Sequence, residues 1–228
     1  MEAAGAVDAV REVVDYCTGH YGALSFAAGN TLKLIQSRVV GGGYAANGAS
    51  LLDEADFTAQ NLSDAGKGAA YGEVMIHELV HQWWGLGNMF DSSDETDGWS
   101  AEGLTVYTTY RIVRQLYGEE YALEHYVNQW QKAVDDYNLN FYVRCPEYLE
   151  MLPEEKRLEI TNSLSYVRQY CEIPLKILKA EQLVGGEEAM DRILNGLFNR
   201  ELDPAYPYLT YQEFLDACGL TEEELNLA

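Results

Sequence analysis

The spacing of apolar residues divides the chain into a short part with strand patterns and a longer helical part. Residues 6–20 have apolar positions at helical spacing and predict a helix, which Gly19 and Gly22 would end. The branched residues of 31–40 partly alternate and predict a strand that runs into consecutive glycines. Residues 44–54 are typical of a second strand or an edge segment, so the first third is expected to form a small sheet with one helix.

From Tyr71 onward the pattern is helical. The segment 71–84 has apolar residues on all its faces, which is typical of a helix that crosses the centre of a domain, and Gly85 and Gly87 are expected to end it. A polar, acidic loop is predicted over 86–98. We predict further helices over 119–138, 147–171 and 174–200.

Residues with capping chemistry mark where several helices should begin. A second long helix is predicted over 101–118, with Ser100 as its N-cap. Two later pairs have the capping-box pattern: Thr210 with Glu213, and Thr221 with Glu224.

These elements predict an α+β fold, one domain over 1–228 with a small β-containing lobe at 1–70 and a larger, mainly helical lobe at 71–228. Of the 228 residues, 47% are apolar, which is enough for a substantial core. No apolar stretch approaches the ~18 residues that a membrane span needs. The first residues do not have the pattern of a secretory signal, and the sequence leaves the compartment open.

The formal charge of the chain restricts its partners. The sequence has 37 acidic and 15 basic residues, a net charge of −22. Such a surface repels nucleic acid and anionic membranes, and it is compatible with a cationic or peptide-like partner. We therefore expect a peptide rather than a polyanion as the ligand.

The cysteines do not have the spacing of a thiolate metal site. Cys17, Cys145, Cys171 and Cys218 are far apart in the sequence and form no CxxC pair. They could be buried apolar residues or form one or two disulfides, and the sequence leaves both alternatives open.

The central chemical motif is His77-Glu78-Leu79-Val80-His81. Residues four apart lie on one face of an α-helix, about 6 Å apart, so the two imidazoles can bind one zinc ion. Glu78 is rotated by about 100° around the helix axis, and its carboxylate can reach a water at the metal as a general base. The alternative is that His77 and His81 are core histidines; His20 and His125, which have no partner pattern, are interpreted as structural.

A catalytic zinc site needs a third protein ligand and an open position, and Glu102 is the best candidate for that ligand. It lies near the start of the next predicted helix, after a loop long enough to turn the chain back. The neighbouring Gly103 would allow close helix packing. Two histidines and one carboxylate are a common ligand set of catalytic zinc sites.

The sequences HELVHQWWG and WSAEGLTVY closely resemble the gluzincin aminopeptidases, the alanyl aminopeptidase and leukotriene hydrolase group. The resemblance implies a thermolysin-like catalytic domain that uses one zinc ion to hydrolyse peptide bonds. It implies His77, His81 and Glu102 as ligands and Glu78 as the general base. The spacer between His81 and Glu102 is slightly longer than the family's usual one.

The resemblance also indicates an oxyanion-stabilising tyrosine. The segment that begins YCEIPLKIL is similar to the family segment containing the catalytic tyrosine, and the glycines at 185–186 fix the register that places Tyr170 there. Pro174 would then lie in the first turn of the following helix. Glu172 and Ile173 replace the lysine and glycine usual in the family, and Tyr166 is the alternative candidate.

The family also has a GxMEN sequence on an edge strand that binds the substrate backbone, and its glutamate binds the substrate's α-amino group. Gly43, Tyr44, Ala45 and Ala46 match this stretch, with Ala46 in place of the glutamate. Alanine cannot accept a charge-assisted hydrogen bond from an ammonium group. Either a nearby acidic residue replaces it, Asp53 or Glu54, or the protein is not a strict aminopeptidase.

The similarity extends from about residue 10 to the C-terminus, and family members are much longer. We therefore expect an excerpt of a longer protein with further flanking domains. Two other hypotheses remain open at this point: a catalytically weak or inactive peptide-binding domain that keeps the zinc site, and a structural zinc site between two helices. The second is disfavoured because structural sites usually have four protein ligands.

Overall fold

A computed structural model describes residues 3–24, 31–38, 42–54, 70–87 and 98–227. The predicted acidic loop over 86–98 lies almost entirely outside the described residues. Within the described part of the chain, no helix combines the length and the hydrophobicity needed to cross a membrane.

Three short strands form one sheet: β1 is Lys33–Ser37, β2 is Gly43–Ala46 and β3 is Ala49–Asp53. The central strand β3 pairs parallel with β1 and antiparallel with β2, so β2 lies at an edge of the described sheet. The prediction of one further strand over 44–54 was wrong in number, because the chain reverses at Asn47 and Gly48 and forms a hairpin. Gly48 has a φ of 72°, as such tight turns require.

The remaining described elements are helices. The α-helices are α1 Ala3–Tyr21, α2 Ala70–Val80, α3 Leu104–Tyr117, α4 Glu119–Ala122, α5 Asn128–Leu139, α6 Phe141–Arg144, α7 Glu154–Val167, α8 Ile173–Leu183, α9 Glu187–Phe198 and α10 Tyr211–Cys218. Three wider π-helical turns, Trp99–Gly103, Leu123–Val127 and Arg168–Glu172, lead into α3, α5 and α8, and a 3₁₀ turn covers Pro146–Met151. A small sheet followed by a mainly helical region is the α+β arrangement that the sequence predicts.

Several predicted helix boundaries were wrong. The helix over 147–171 begins only after Pro153, whose ring fixes φ and removes a backbone donor. The helix over 174–200 is interrupted at Gly185 and Gly186, which have φ of 106° and 99°. Ser100 is not a cap, because it is buried inside the first π-helical turn and Gly98 takes the capping position.

The two capping-box predictions had different outcomes. Thr210 and Glu213 form the reciprocal hydrogen bonds at the start of α10, as predicted. Thr221 and Glu224 make similar bonds, but they close a turn rather than a helix. All four cysteines have free thiols, so the structure contains no disulfide at these positions.

Helix α2 lies at the centre of the molecule, as its apolar sequence predicts. Met75, Ile76, Leu79 and Val80 are buried. The helix packs against β2 and β3 on one side and against α1 and α3 on the other. The element that carries the histidine motif is therefore held in place by both the sheet and the helical region.

Candidate metal centre

Three predicted ligands come together between α2 and α3. His77 lies in the last turn of α2, His81 directly follows that helix, and Glu102 lies in the π-helical turn before α3. The Nε2 atoms of the histidines are 3.0 Å apart, and Glu102 Oε2 lies 3.2 Å from His77 Nε2 and 3.6 Å from His81 Nε2. Single ligand atoms of the three residues all lie within 4.8 Å of one another.

The local backbone explains how Glu102 reaches the histidines. Gly98 enters the π-helical turn with a φ of 71°, and its carbonyl accepts a hydrogen bond from the Glu102 N–H at 2.8 Å. Gly103 allows the turn to approach α8, since a Cβ atom there would lie 2.3 Å from Ile173 Cγ2. The close helix packing that Gly103 predicts is therefore present.

Two groups orient His81 from behind. Its Nδ1–H is shared between the Trp84 carbonyl and Thr105 Oγ1, each at 3.2 Å. Because a carbonyl can only accept, Nδ1 carries the proton and Nε2 presents its lone pair toward His77 and Glu102. Metal-binding histidines typically have such a partner on the other ring nitrogen. Sequence reasoning missed Thr105, because its role depends on how α2 and α3 cross.

The three residues fit a zinc ion. Two imidazole nitrogens and one carboxylate oxygen are the donor types of catalytic zinc sites. Glu102 Oε2 is buried and has no directed hydrogen bond, although it lies beside two imidazoles. A buried carboxylate oxygen without a hydrogen bond is unfavourable unless a cation or a donor binds it.

Burial and neighbouring charges shift the pKa values at this cluster. Burial and the neighbouring His77 together lower the pKa of His81 to about 4, so His81 is neutral at pH 7. Burial alone would raise the pKa of Glu102, but His77, His81 and Tyr170 hold it below its usual value. Burial raises the pKa of Glu78 to about 7, and a cation held by the cluster would act in the opposite direction.

Glu78 lies between the metal cluster and strand β2. A Cβ atom on Gly43 would lie 2.3 Å from Glu78 Cγ and 2.7 Å from its carboxylate, so only glycine leaves room for this side chain. The backbone of Glu78 is also tied to the sheet, because Ser50 Oγ donates a hydrogen bond to its carbonyl at 2.9 Å. The carboxylate position is therefore set by both α2 and the sheet.

The structure places Tyr170 closer to the cluster than Tyr166. Tyr170 lies in the π-helical turn before α8, its ring stacks on His77 with centroids 6.1 Å apart, and it helps to lower the pKa of Glu102. Tyr166 stacks on the outer side of Tyr170, with ring centroids 4.5 Å apart, and is 59% exposed. Pro174 lies in the first turn of α8, as predicted.

The backbone of β2 is exposed beside the cluster. The Asp53 N–H donates a hydrogen bond to the Gly42 carbonyl at 3.0 Å, so Gly42 and Asp53 are a hydrogen-bonded pair. Such pairs alternate along an antiparallel ladder, so the N–H and C=O groups of Gly43 and Ala45 point away from β3. Tyr44, Ala45 and Gly43 line a cleft that also contains His77, His81, Glu78, Glu102 and Tyr170.

Ala46 lies at the turn end of β2, where it pairs with Ala49, and its carbonyl accepts a hydrogen bond from Gln82 Nε2 at 3.0 Å. Asp53 and Glu54 follow Leu52, the partner of Gly43, at the other end of the hairpin. Strands rise by about 3.3 Å per residue, so Asp53, which lies opposite Gly42, is about 13 Å from the position of Ala46, and Glu54 is farther away. Neither replaces the missing glutamate at that position.

A larger pocket of about 510 Å³ also borders Glu78 and Tyr170. It extends between α3, α5 and α7, and its described lining includes Val106, His125 and Trp130. His125, which the sequence indicated as structural, therefore lies in the same pocket as the candidate catalytic residues. No motif in the sequence marked it.

The small three-stranded sheet and the mainly helical region that follows it have the fold of solved M1 zinc metallopeptidases. The sequence profile of the peptidase family M1 domain matches residues 6–152, more than half of the chain. The chain belongs to peptidase family M1.

Individual comparisons agree with this assignment. Leucine aminopeptidase 2 of Emericella nidulans is 31% identical over 126 residues, which are 55% of this chain and 19% of that protein. Yeast LTA4 hydrolase superposes with a TM-score of 0.59 at 15% identity, covering 91% of this chain and 31% of that one. The M1 zinc metallopeptidase of Deinococcus radiodurans gives 0.56 at 16% identity, covering 98% and 42%. The chain thus spans only part of the length of each of these proteins.

Proposed function

We propose that this chain hydrolyses peptide bonds in a zinc-dependent, aminopeptidase-like reaction. His77, His81 and Glu102 would hold one zinc ion, Glu78 would act as the general base, and Tyr170 would stabilise the oxyanion. The observation that carries the proposal is the approach of three ligand atoms to within 4.8 Å of one another, next to a buried glutamate that is not one of them. The family assignment supports the same reaction class.

A bound zinc ion would supply a Lewis acid that polarises the substrate carbonyl and makes a water molecule nucleophilic near neutral pH. The Glu78 carboxylate accepts the proton of the attacking water and transfers it to the leaving amine. The Tyr170 hydroxyl donates a hydrogen bond to the oxyanion of the tetrahedral intermediate, a type of contact that contributes about 3–4 kcal/mol.

The substrate backbone would pair with β2. The N–H and C=O groups of Gly43 and Ala45 point away from β3, which is the geometry for adding an extended peptide to a sheet edge. An extended peptide bound there lies in the cleft that contains Glu78 and Tyr170. This placement supports Gly43, Tyr44, Ala45 and Ala46 as the substrate-binding segment.

A second candidate function is a peptide-binding domain with weak or no turnover. Ala46 favours it, because its methyl group cannot bind a substrate ammonium and its carbonyl already accepts a hydrogen bond from Gln82. An aminoacyl fluorogenic substrate and an internally quenched peptide with a blocked N-terminus separate the possibilities. Cleavage of the first alone indicates an aminopeptidase, cleavage of the second an endopeptidase, and binding without cleavage the peptide-binding domain.

The direct test of the proposed reaction is Glu78→Gln in the zinc-loaded protein. Glutamine has nearly the same shape and cannot accept the proton, so we expect kcat to fall by at least about a thousandfold while zinc stoichiometry is unchanged. Glu124→Gln, at an exposed position, is the control and should keep full activity. Retained activity in Glu78→Gln would show that another group is the base.

A further inference from the structure

The pocket beside Glu78 and Tyr170 is walled by aromatic side chains. Tyr126 and Trp130 are almost fully buried, and Tyr166 lines the same space from α7. The volume of about 510 Å³ falls within the ~300–1,000 Å³ range of pockets that bind small ligands. We refer to this space, defined by Tyr126, Trp130, Tyr166, His125 and Gln129, as the aromatic pocket.

The walls of the aromatic pocket are held in place by their own ring contacts. Trp130 packs edge-on against Tyr126 and Tyr110, with centroids 5.6 Å apart in both pairs. Tyr166 stacks nearly parallel on Tyr170 at 4.5 Å. Rings fixed in this way present their faces or edges to a ligand without first having to become ordered, which favours binding.

Two polar side chains in this pocket are set to accept hydrogen bonds. His125 donates Nδ1–H to the Tyr121 carbonyl at 2.9 Å, so in the neutral ring Nε2 is an acceptor. The same ring stacks on Tyr121, with centroids 3.9 Å apart, which fixes its orientation. Gln129 donates from Nε2 to the Glu124 carbonyl at 3.2 Å, and its Oε1 remains an acceptor.

No cationic side chain that the structure describes opposes a positively charged ligand in this pocket. The described lining residues include no lysine or arginine, and the chain as a whole has a net charge of −22. A cleft in a strongly acidic protein concentrates cations. Aromatic faces attract ammonium and guanidinium groups as well, by about 0.5–1 kcal/mol at exposed sites and more when the cation is desolvated.

We propose that the aromatic pocket receives a lysine or arginine side chain of the peptide substrate, adjacent to the bond that is cleaved. The aliphatic stem packs along Trp130 and Tyr126, and the cationic end donates hydrogen bonds to His125 Nε2 and Gln129 Oε1. This inference rests on the proposed peptidase function. It adds the side-chain class that the enzyme selects and makes His125 a specificity-determining residue.

The test compares matched peptides on the zinc-loaded protein. Two pairs of internally quenched peptides are used. Within each pair the peptides differ only in having lysine or norleucine, at the residue before the cleaved bond in one pair and at the residue after it in the other. Mass spectrometry of the products identifies the cleaved bond. Norleucine has the same stem without the ammonium group. At one of the two positions we expect kcat/KM to be about tenfold higher for lysine, since a hydrogen bond to a charged group is lost with norleucine.

His125→Phe removes the Nε2 acceptor and keeps an aromatic ring that can stack on Tyr121. We expect it to reduce the preference for lysine over norleucine to threefold or less, through a lower kcat/KM for the lysine peptide. Gln131→Leu, an exposed residue on the same helix α5 whose amide bonds Asp135, is the matched control and should keep the full preference.

Binding of the same peptides to Glu78→Gln, measured by calorimetry, separates the two proposals. Equal cleavage of the lysine and norleucine peptides would overturn the basic-side-chain assignment and leave the peptidase function standing. No cleavage by the wild-type protein, with tighter binding of the lysine peptide, would overturn the peptidase function and support the pocket assignment. Equal binding without cleavage would overturn both.

Discussion

Glu78 and Gly43 occupy adjoining space, so the side chain at position 43 decides where the candidate base can lie. A methyl group at this position would overlap Glu78 Cγ and its carboxylate. Neither residue could be linked to the other from sequence alone, because they come from a strand and a helix separated by more than thirty positions. The GxMEN resemblance indicated that Gly43 lies near the substrate, but it did not indicate the contact with Glu78.

We predict that Gly43→Ala displaces the Glu78 carboxylate and lowers kcat about a hundredfold, since a displacement of about 1 Å at a catalytic group can have that effect. Zinc stoichiometry should be unchanged, because the three atoms nearest to a Cβ at position 43 all belong to Glu78 and none belongs to a metal ligand. Gly19→Ala, in α1, is the control, since a Cβ atom there meets no neighbouring atom within 4 Å. Full activity of Gly43→Ala would contradict the assigned position of the base.

The role of Thr105 could not be predicted from the sequence. The motif HExxH was sufficient to select His77 and His81, but the hydrogen-bond partner of His81 comes from α3 and becomes evident only in three dimensions. We predict that Thr105→Val weakens zinc binding about tenfold, measured by competition with a chromogenic chelator. Thr109→Val, which loses a hydroxyl that bonds the Thr105 carbonyl and not His81, should bind zinc normally. Equal affinities in both variants would show that Thr105 does not position His81.

At the level of elements, periodicity predicted which segments are helical and glycine or proline decided where they end. The helix over 174–200 was predicted as one segment because its apolar spacing continues through the break. Gly185 and Gly186 divide it, and both have positive φ. The hairpin at 44–54 has a signal in the sequence, since Asn47-Gly48 is a preferred two-residue turn.

The π-helical turns were not predictable from the pattern. Glu102 and Tyr170 both lie in such turns, at the starts of α3 and α8. A wider turn inserts an extra residue without ending the helix, so apolar spacing does not reveal it. These turns place a carboxylate and a phenol against His77, and turns of this kind are common at functional sites.

Close contact between the first π-helical turn and α8 depends on Gly103. We predict that Gly103→Ala lowers the free energy of unfolding by about 1–3 kcal/mol, because the methyl group would overlap Ile173. Urea unfolding measures this change. In the double variant Gly103→Ala, Ile173→Ala the two effects should not add, since the second change makes space for the methyl group. Strict additivity would show that the two positions do not compete for the same space.

At the scale of the whole molecule, the candidate centre is assembled from segments that are distant in sequence. The edge strand β2, the end of α2, the π-helical turn before α3 and the turn containing Tyr170 all border one cleft. The sequence predicted the α+β class and most of these residues, because motifs are local. It could not predict the aromatic pocket, because His125 and Trp130 carry no motif and reach Glu78 only through the packing of α5 against the turn before α8.

The most direct test of the account is the zinc content of the purified protein after dialysis against trace zinc, measured by mass spectrometry of the metal. We predict one zinc ion per wild-type chain and per Glu78→Gln chain, and almost none for His77→Ala, His81→Ala or Glu102→Ala, with each variant checked for folding by circular dichroism. A folded wild-type protein without zinc, or full zinc occupancy in a folded Glu102→Ala variant, would contradict the proposed metal centre.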